Sequence, residues 1–377
     1  MRTWRPLSLA SCLMLLLGSG PVGAAEVERV IHISVDGGGS SYLQELIDAG
    51  SLPNFKRMQE EGAWTNNARC DFDYSVTLPN HTSQITGRGV VGAAGHNWTS
   101  NSDPGVNETI HSNKGSYVAS AFDVAHDHGL LTGAYVGKSK FSLFRDSYDA
   151  TNGADDATGP DNGKNKIDTF EYLDSNSAEL LSRLKTTMTG SSPLHYAFFH
   201  YTETDGVGHA KGWGSDEYDA ALVTMDGYLG EIFAMIENDP DLNGKTAILL
   251  TADHGGVGTG HGSASNALNY TIPFYVWGPG VAAGADLYAL NSSSRLDPGA
   301  GRPDDSAAVP PIRNGDAANL ALDLLGLGPV PGSSINAGQT LLVPEPSTMS
   351  LPALGGFALA LLGRNRGRRG FENRCLG

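Results

Sequence analysis

The chain has 377 residues, 40% of them hydrophobic, and a formal net charge of −16. This length and apolar content are enough for one large domain or two smaller ones with a substantial core. Basic residues do not cluster in the body of the chain, which argues against binding to duplex nucleic acid. Any anionic substrate must therefore be attracted by a local group rather than by the overall field.

Residues 1–25 have the organisation of a secretory signal peptide. Arg2 and Arg5 precede an apolar run from Leu7 to Leu17, and small residues follow up to Ala25. Such a run is too short for a membrane-spanning helix, so we expect cleavage after this segment and export of the rest of the chain.

The next segment predicts a strand followed by two helices. Residues 29–36 (RVIHISVD) form a nearly continuous apolar run that ends in Asp36 and is followed by three glycines. A run of this kind is typical of a strand buried on both faces in a parallel sheet. Helical patterns follow at 41–49 and 52–62.

The segment 74–87 (YSVTLPNHTSQITG) places Thr77 at the start of a third helix. Threonine is favoured at helix N-caps, and Pro79 fits an early helical position. A hydroxyl at a helix N-terminus beside a metal ion also becomes a usable nucleophile, and the nearby N–H groups can receive a phosphoryl oxygen. Capping and catalysis require the same position, so the segment alone does not decide between them.

Strand and helix patterns then alternate along the chain. Helices are predicted near 116–128, 168–187 and 217–237, and strands at 131–136, 195–201, 246–251 and 270–277. This alternation predicts an α/β fold, a three-layer sandwich with a central, mostly parallel sheet, formed by one domain over residues 26–342. The polar, turn-rich segment 146–168 is expected to be a surface insertion, either a solvated loop or a calcium-binding one.

Carboxylates and imidazoles follow three of the predicted strands: Asp36, Asp205, His209, Asp253, His254 and, a little further on, His261. Each one alone has an ordinary explanation as a turn residue, an ion pair or a buried histidine. In open α/β sheets, however, ligands bind at the carboxyl ends of strands. The joint placement of these side chains therefore favours a site for two zinc or manganese ions.

The C-terminal tail combines three features in order. Pro344-Glu-Pro346 opens it, an apolar run covers 349–363, and four arginines follow between 364 and 369. At about 1.5 Å per residue the apolar run is shorter than the ~30 Å hydrocarbon core, but its basic end favours a transient stay in the membrane. Residues 343–369 resemble the PEP-CTERM sorting signal of bacteria, apart from the extra residues 370–377. This resemblance implies processing by a membrane-bound sorting transpeptidase and a final location at the cell surface or in the extracellular matrix.

Four motifs together resemble the alkaline phosphatase superfamily, most closely its type I phosphodiesterase/nucleotide pyrophosphatase branch: Asp36-Gly, Thr77-Leu-Pro-Asn-His, Asp205-x-x-x-His209 and Asp253-His254-Gly. The resemblance covers most of residues 28–340. It implies that Thr77 is the nucleophile and that two zinc ions are bound, with manganese as a possible substitute. One zinc is then held by Asp36, Thr77, Asp253 and His254, and the other by Asp205, His209 and a third histidine. In this branch the third histidine lies much further along the chain, but no histidine follows His261 here, so either His261 fills that position or the site is incomplete. The resemblance to other branches of the superfamily, which take this ligand from a nearby position, favours His261.

The same resemblance suggests contacts to the substrate. Asn97 lies at the spacing after the nucleophile where the family uses an asparagine to hold a phosphoryl oxygen. Lys138 and Lys140, in the sequence VGKSKF, match a Lys-x-Lys pair that grips the substrate carboxylate in related phosphonoacetate hydrolases. The alternative for these lysines is a solvated loop. Arg88, near the nucleophile helix, is a further candidate for an anion contact.

The sequence therefore predicts a secreted two-zinc phosphohydrolase that cleaves phosphodiester or nucleotide pyrophosphate bonds of a small substrate through a phosphothreonine intermediate. The alternatives are a phosphomonoesterase or phosphonate hydrolase of the same superfamily, or an inactive extracellular matrix protein on the same scaffold. A sulfatase is disfavoured, because those enzymes carry Cys/Ser-x-Pro-x-Arg where this chain has Thr-Leu-Pro-Asn-His.

Overall fold

The computed structural model describes residues 27–156, 158, 163–335 and 340–343. Within these ranges the strands are β1 (Arg29–Val35), β2 (Ala63–Arg69), β3 (Thr132–Val136), β4 (Thr169–Tyr172), β5 (Tyr196–Tyr201), β6 (Thr246–Ala252), β7 (Thr271–Trp277) and β8 (Ala285–Asp286). The helices are α1 (Ser40–Asp48), α2 (Pro53–Glu61), α3 (Thr77–Thr86), α4 (Ile110–Lys114), α5 (Ala121–Asp127), α6 (Ser142–Ser147), α7 (Ser177–Met188), α8 (Glu203–Lys211), α9 (Asp216–Asn238), α10 (Ala267–Tyr270), α11 (Leu287–Leu290) and α12 (Asp316–Leu324).

The eight strands form one mixed sheet in the order β4-β3-β5-β1-β6-β7-β2-β8. The five strands from β4 to β6 run parallel to one another. β7 is antiparallel to β6 and to β2, and β8 is parallel to β2. The predicted α/β fold with a mostly parallel central sheet is thus confirmed.

The sheet separates two hydrophobic clusters, one on each face. Along β1 the side chains of Ile31, Ile33 and Val35 join the cluster that contains residues of α1, α2, α7 and α9, whereas Val30 joins the cluster that contains residues of α3, α5 and α12. This alternation is the period of two that a strand imposes. Helices on both faces complete a three-layer sandwich, in which all ten residues of α3 are buried.

Among the differences from the prediction, two concern the strands β4 and β2. The prediction of a helix over 168–187 is wrong in its first part. There β4 forms the edge of the sheet, and α7 begins only at Ser177. Asn176 caps α7 by accepting a hydrogen bond from the Glu179 N–H at 3.1 Å. Asparagine is a favoured N-cap residue, so the sequence is consistent with the start of α7 at Ser177. The second difference is β2, which was not predicted because its sequence AWTNNAR is largely polar.

The described part of segment 146–168 contains a buried lysine. The ammonium of Lys166 contacts the carboxylates of Asp127 and Asp156, and its distance to Asp156 Oδ1 is 2.7 Å. A lysine in this position supplies the positive charge that a calcium ion would otherwise bring. The contacts therefore favour the loop interpretation of this segment over the calcium-binding one.

The predicted signal peptide (1–25), the sorting signal beyond residue 343 and the tail 370–377 lie outside the described residues. Among the residues that are described, no helix has the length and apolar character needed to cross a membrane.

Candidate two-metal active site

The carboxyl edge of the parallel strands collects side chains from three strand ends. β1 leads into Asp36, β6 leads into Asp253 and His254, and β5 leads into α8, which carries Asp205 and His209. Because β1 lies between β5 and β6 in the sheet, the three strand ends are direct neighbours. The fold therefore brings together the residues that the sequence singles out.

One group of donor atoms surrounds His254. Its Nε2 lies 3.1 Å from Asp253 Oδ2, 3.7 Å from Asp36 Oδ1 and 3.5 Å from Thr77 Oγ1. All four side chains are almost completely buried. Donor atoms of Asp36, Asp253 and His254 lie within 4.8 Å of one another, which is close enough to hold one cation.

A second group lies beside the first. His209 Nε2 is 3.1 Å from His261 Nε2, and Asp205 Oδ1 is 3.4 Å from the former and 3.5 Å from the latter. The rings of His254 and His261 are stacked with their centroids 3.6 Å apart, so the two groups adjoin. The side chain of His209 is 48% exposed, whereas His261 is buried. The site therefore opens to solvent on the His209 side.

All three histidines are oriented as metal-ligating histidines are. In each ring Nδ1 lies close to a backbone carbonyl oxygen: Thr259 at 3.0 Å for His209, Gly255 at 2.8 Å for His254 and Ser75 at 2.6 Å for His261. A carbonyl only accepts hydrogen bonds, so Nδ1 donates and Nε2 faces the site. The separation of the His209 and His261 Nε2 atoms is close to that of two nitrogens ~2.0–2.1 Å from one tetrahedral zinc ion.

The three carboxylates present one oxygen each to the site. Asp253 Oδ1 accepts hydrogen bonds from the Gly37 and His254 N–H groups, both at 2.9 Å. Asp36 Oδ2 accepts one from His200 Nε2 at 2.9 Å. In the part of the chain that the structure describes, the remaining oxygens are buried beside imidazole nitrogens at 3.1 to 3.7 Å but have no hydrogen-bond partner: Asp36 Oδ1, Asp205 Oδ1 and Asp253 Oδ2. Buried carboxylate oxygens without donors are costly, and divalent cations would satisfy them, so the residues present fit two metal ions.

Charges in the site perturb the groups that titrate there. Burial raises the pKa of Asp36, but the ammonium of Lys138 and the ring of His200 outweigh it and hold that pKa well below its usual range. Burial lowers the pKa of His254, but Asp253 and the other carboxylates outweigh it and raise the pKa to about 9. Burial, with the neighbouring His254, lowers the pKa of His261 to about 3. A cation that binds His254 must therefore displace a proton.

Thr77 is the first residue of α3 and does not cap it. Val76 occupies the N-cap position, and no side chain makes a cap hydrogen bond there. The Leu78 N–H donates instead to Asn101 Oδ1 at 2.9 Å. The capping interpretation of Thr77 is therefore wrong, and its hydroxyl faces His254 at the metal-binding group.

Two histidines outside the predicted ligand set, His81 and His200, hold site residues in place. His81 Nδ1 lies 2.8 Å from the Thr77 carbonyl oxygen, and its Nε2 accepts a hydrogen bond from Ser34 Oγ at 2.8 Å. His200 receives the Gly137 N–H at Nδ1 (3.2 Å) and so donates from Nε2 to Asp36. His81 stands one helical turn after Thr77, a spacing that could have identified it; His200 is hidden in the apolar run of β5.

The side chains predicted to contact the substrate differ in whether they already have partners within the protein. Lys140 is partly buried, and among the described residues its ammonium makes no hydrogen bond or ion pair, although it experiences the charges of Asp36 and Asp205. Asn97 has a buried Oδ1 without a hydrogen-bond partner. Arg88 donates to the carbonyl oxygens of Pro331 (3.0 Å) and Ala94 (3.5 Å), so it is used for backbone contacts rather than for the site.

The indole of Trp213 packs the ligand-bearing segments together. Its Nε1 donates to the carbonyl oxygen of Gly37, the residue after Asp36, at 2.9 Å. A Cβ added to Gly208 or Gly256 would lie 2.6 Å or 2.2 Å from the indole, so only glycine permits this approach. One side chain thus contacts the segments of all three strand ends.

Several solved structures resemble this fold, and three of them are described here. They are murine ectonucleotide pyrophosphatase/phosphodiesterase 5, in an inactive threonine-to-alanine form in complex with AMP (TM-score 0.55, 14% identity, 81% of this chain and 96% of that one); the human protein of the same name (TM-score 0.55, 13% identity, 80% and 96%); and an alkaline phosphatase superfamily protein of Vibrio parahaemolyticus (TM-score 0.54, 13% identity, 86% and 71%). At these identities the likeness is one of fold.

Sequence comparison adds a curated relative and a family. GPI ethanolamine phosphate transferase 1 of Mus musculus is 29% identical over 149 residues, which are 38% of this chain and 15% of that protein. The chain therefore spans only a small part of the length of this relative. Residues 30–269 match the type I phosphodiesterase / nucleotide pyrophosphatase family, and the chain belongs to that family.

Proposed function

We propose that this chain is an exported two-zinc hydrolase that cleaves phosphodiester or nucleotide pyrophosphate bonds through a phosphothreonine intermediate on Thr77. The observation that carries the proposal is the convergence of three carboxylate oxygens without hydrogen-bond donors and three inward-facing imidazole nitrogens beside the Thr77 hydroxyl. A scaffold without catalysis has no need of such a set, which argues against the inactive matrix protein.

The chain's own residues account for the nucleophile and its orientation. Thr77 Oγ1 would lose its proton and attack phosphorus in line, forming an O–P bond as the bond to the leaving oxygen breaks; the leaving oxygen would take up a proton from solvent. Water would then cleave the phosphothreonine, releasing the phosphate product and restoring the hydroxyl. His81 fixes the main chain of Thr77, and His254 Nε2 borders its hydroxyl. Two bound zinc ions would supply Lewis-acid stabilisation of the attacking and leaving oxygens.

The comparisons support this reading in two ways. The family match names phosphodiester and nucleotide pyrophosphate cleavage. One structural neighbour, bound to AMP, is inactivated by a threonine-to-alanine substitution, which supports a threonine nucleophile in this fold. Lys140 and Asn97 are the residues that we propose to contact the substrate, since neither side-chain group has a hydrogen-bond partner among the described residues.

A substrate panel tests the proposal. Turnover by the purified zinc-loaded chain is measured with four substrates: the diester bis(4-nitrophenyl) phosphate, the nucleotide pyrophosphate ADP, the monoester 4-nitrophenyl phosphate, and phosphonoacetate. We expect kcat/KM for the diester or the pyrophosphate to exceed that for the monoester and the phosphonate. A preference for the monoester or for phosphonoacetate would assign the chain to the corresponding alternative, and no turnover of any of the four would support the inactive scaffold.

Replacing His261 with alanine should remove one metal ion. Asp205 and His209 alone would hold that ion poorly, because a zinc site of this kind needs three protein ligands. We expect zinc content to fall from two to one per chain and activity to fall by more than the roughly 10–100-fold that loss of an outer-shell partner costs. Metal analysis and turnover on the same sample measure both, with His128→Ala, outside the site, as the control. Two retained metals with normal turnover would exclude His261 as a ligand.

The location of the protein is part of the proposal. The predicted signal peptide 1–25 and the PEP-CTERM-like segment 343–369 support export, a membrane-bound sorting transpeptidase as partner, and transient retention by the C-terminal segment. Mass determination of the mature protein checks both ends. A mature chain that begins at Met1 would exclude cleavage of the signal peptide.

A further inference from the structure

Lys138 joins the two groups of metal-binding residues. It follows β3, and its Nζ lies 2.6 Å from Asp36 Oδ2 and 2.6 Å from Asp205 Oδ2. Asp36 belongs to the donor group around His254, whereas Asp205 belongs to the group with His209 and His261. A single ammonium therefore bridges residues that the sequence assigns to different metal ions.

Lys138 and the metal ions would use different oxygens of the same carboxylates. The lysine contacts the Oδ2 atoms, whereas the Oδ1 atoms of Asp36 and Asp205 are the ones that have no hydrogen-bond partner and border the imidazoles. The bridge would therefore persist when cations bind. It also leaves the Lys138 ammonium with two partners and its side chain only 19% exposed, which does not suit a group that must grip the carboxylate of a substrate.

The charge of Lys138 matters most before the metals bind. Three carboxylates, those of Asp36, Asp205 and Asp253, are buried next to one another at this edge of the sheet. Like charges in a buried site repel strongly unless cations compensate them. Bound divalent cations would provide that compensation, so the stabilisation due to the lysine should then be smaller.

We propose that Lys138 compensates charge in the metal-free protein, where it offsets the repulsion between the carboxylates of the two ligand groups, and that it does not bind the substrate. The proposal rests on the proposed function only in that two divalent cations bind at these residues. By thermodynamic linkage, a residue that stabilises the metal-free state more than the metal-bound state must weaken metal binding. Loss of Lys138 should therefore tighten zinc binding while it destabilises the metal-free chain.

The test compares Lys138→Met with the wild type, using zinc alone as the ligand. Methionine keeps much of the length of the side chain and removes the charge. We expect the Tm of the metal-free variant to fall by several degrees, the Tm of the zinc-loaded variant to fall by less, and the zinc dissociation constant to decrease by about tenfold, in line with typical coupling between two sites. Calorimetric titration in a competing chelator gives the dissociation constants.

Lys140→Met is the matched control. It removes the same charge from the same segment, but no ion pair or hydrogen bond of Lys140 is seen among the described residues. Its metal-free and zinc-loaded Tm values should both stay close to those of the wild type. A change in zinc affinity as large as that of Lys138→Met would show that any nearby charge has this effect and would overturn the role of the bridge.

Four further outcomes decide the proposal. Equal losses of Tm in the two states would mean an ordinary structural ion pair and would overturn it. An unchanged metal-free Tm with a raised KM for an acidic substrate would restore Lys138 as a substrate contact. A variant that folds only with zinc and unfolds on chelation would support the proposal, whereas one that does not fold even with zinc would contradict it. Failure of the proposed function itself appears separately, as a wild type that binds no zinc.

Discussion

Replacing Thr77 with alanine is expected to abolish turnover while leaving the fold intact. A phosphoryl-enzyme intermediate requires a hydroxyl, and loss of a nucleophile costs on the order of 10⁴-fold or more in kcat. The stability of the protein should change little, because the Thr77 side chain makes no cap hydrogen bond in α3. Turnover and Tm are measured on the same sample of the variant.

Thr77→Ser is the control for this experiment. It keeps the hydroxyl and removes only a methyl group, so part of the activity should remain. An alanine variant that hydrolyses the diester at the wild-type rate would exclude Thr77 as the nucleophile. If the alanine variant lost activity together with a large part of its Tm, the loss would be one of folding rather than of chemistry.

Chelation is expected to have the second large effect. Dialysis of the chain against a strong chelator should remove two zinc ions and all activity, and added Zn²⁺ should restore both. The Tm should fall as well, because a ligand at about 1,000 times its dissociation constant stabilises the native state by ~4 kcal/mol. Metal analysis, turnover and calorimetry follow the three quantities, with Mn²⁺ as an alternative for reconstitution.

Full activity of a chain that elemental analysis shows to be metal-free would contradict this prediction and exclude the two-metal hypothesis. Such a result would leave unexplained why three buried carboxylate oxygens converge without a hydrogen bond among the described residues.

The residues at the strand ends were predictable from the sequence because each follows a run of buried apolar residues. The run before Asp36 and the run before Asp253 mark β1 and β6, and parallel strands present their carboxyl ends at one edge. The strands β4 and β2, in the outer parts of the sheet, were harder to predict from the sequence. β4 is partly exposed and short, and β2 pairs in the antiparallel part through a polar sequence, so neither shows the apolar run.

The supporting contacts were not predictable for a different reason. Which partner Lys138 contacts depends on how β3 pairs with β5 and how β5 in turn pairs with β1, and those strands are far apart in the sequence. The sequence placed Lys138 in a substrate-binding pair, but in the fold its ammonium lies against Asp36 and Asp205. Motif spacing identifies side chains that act locally, whereas a bridge between two strand ends depends on the tertiary arrangement.

The strand order has a consequence for how the chain matures. β1 lies between β5 and β6, so its Asp36 meets its site partners only after contacts spanning well over a hundred residues have formed. Such long-range pairings are slow to form, because large loops must close first. His261, the last of the candidate ligands, is also made late in synthesis. The ligand set is therefore complete only once His261 has joined the residues of all three strand ends, so metal binding would complete the assembly of this edge rather than start it.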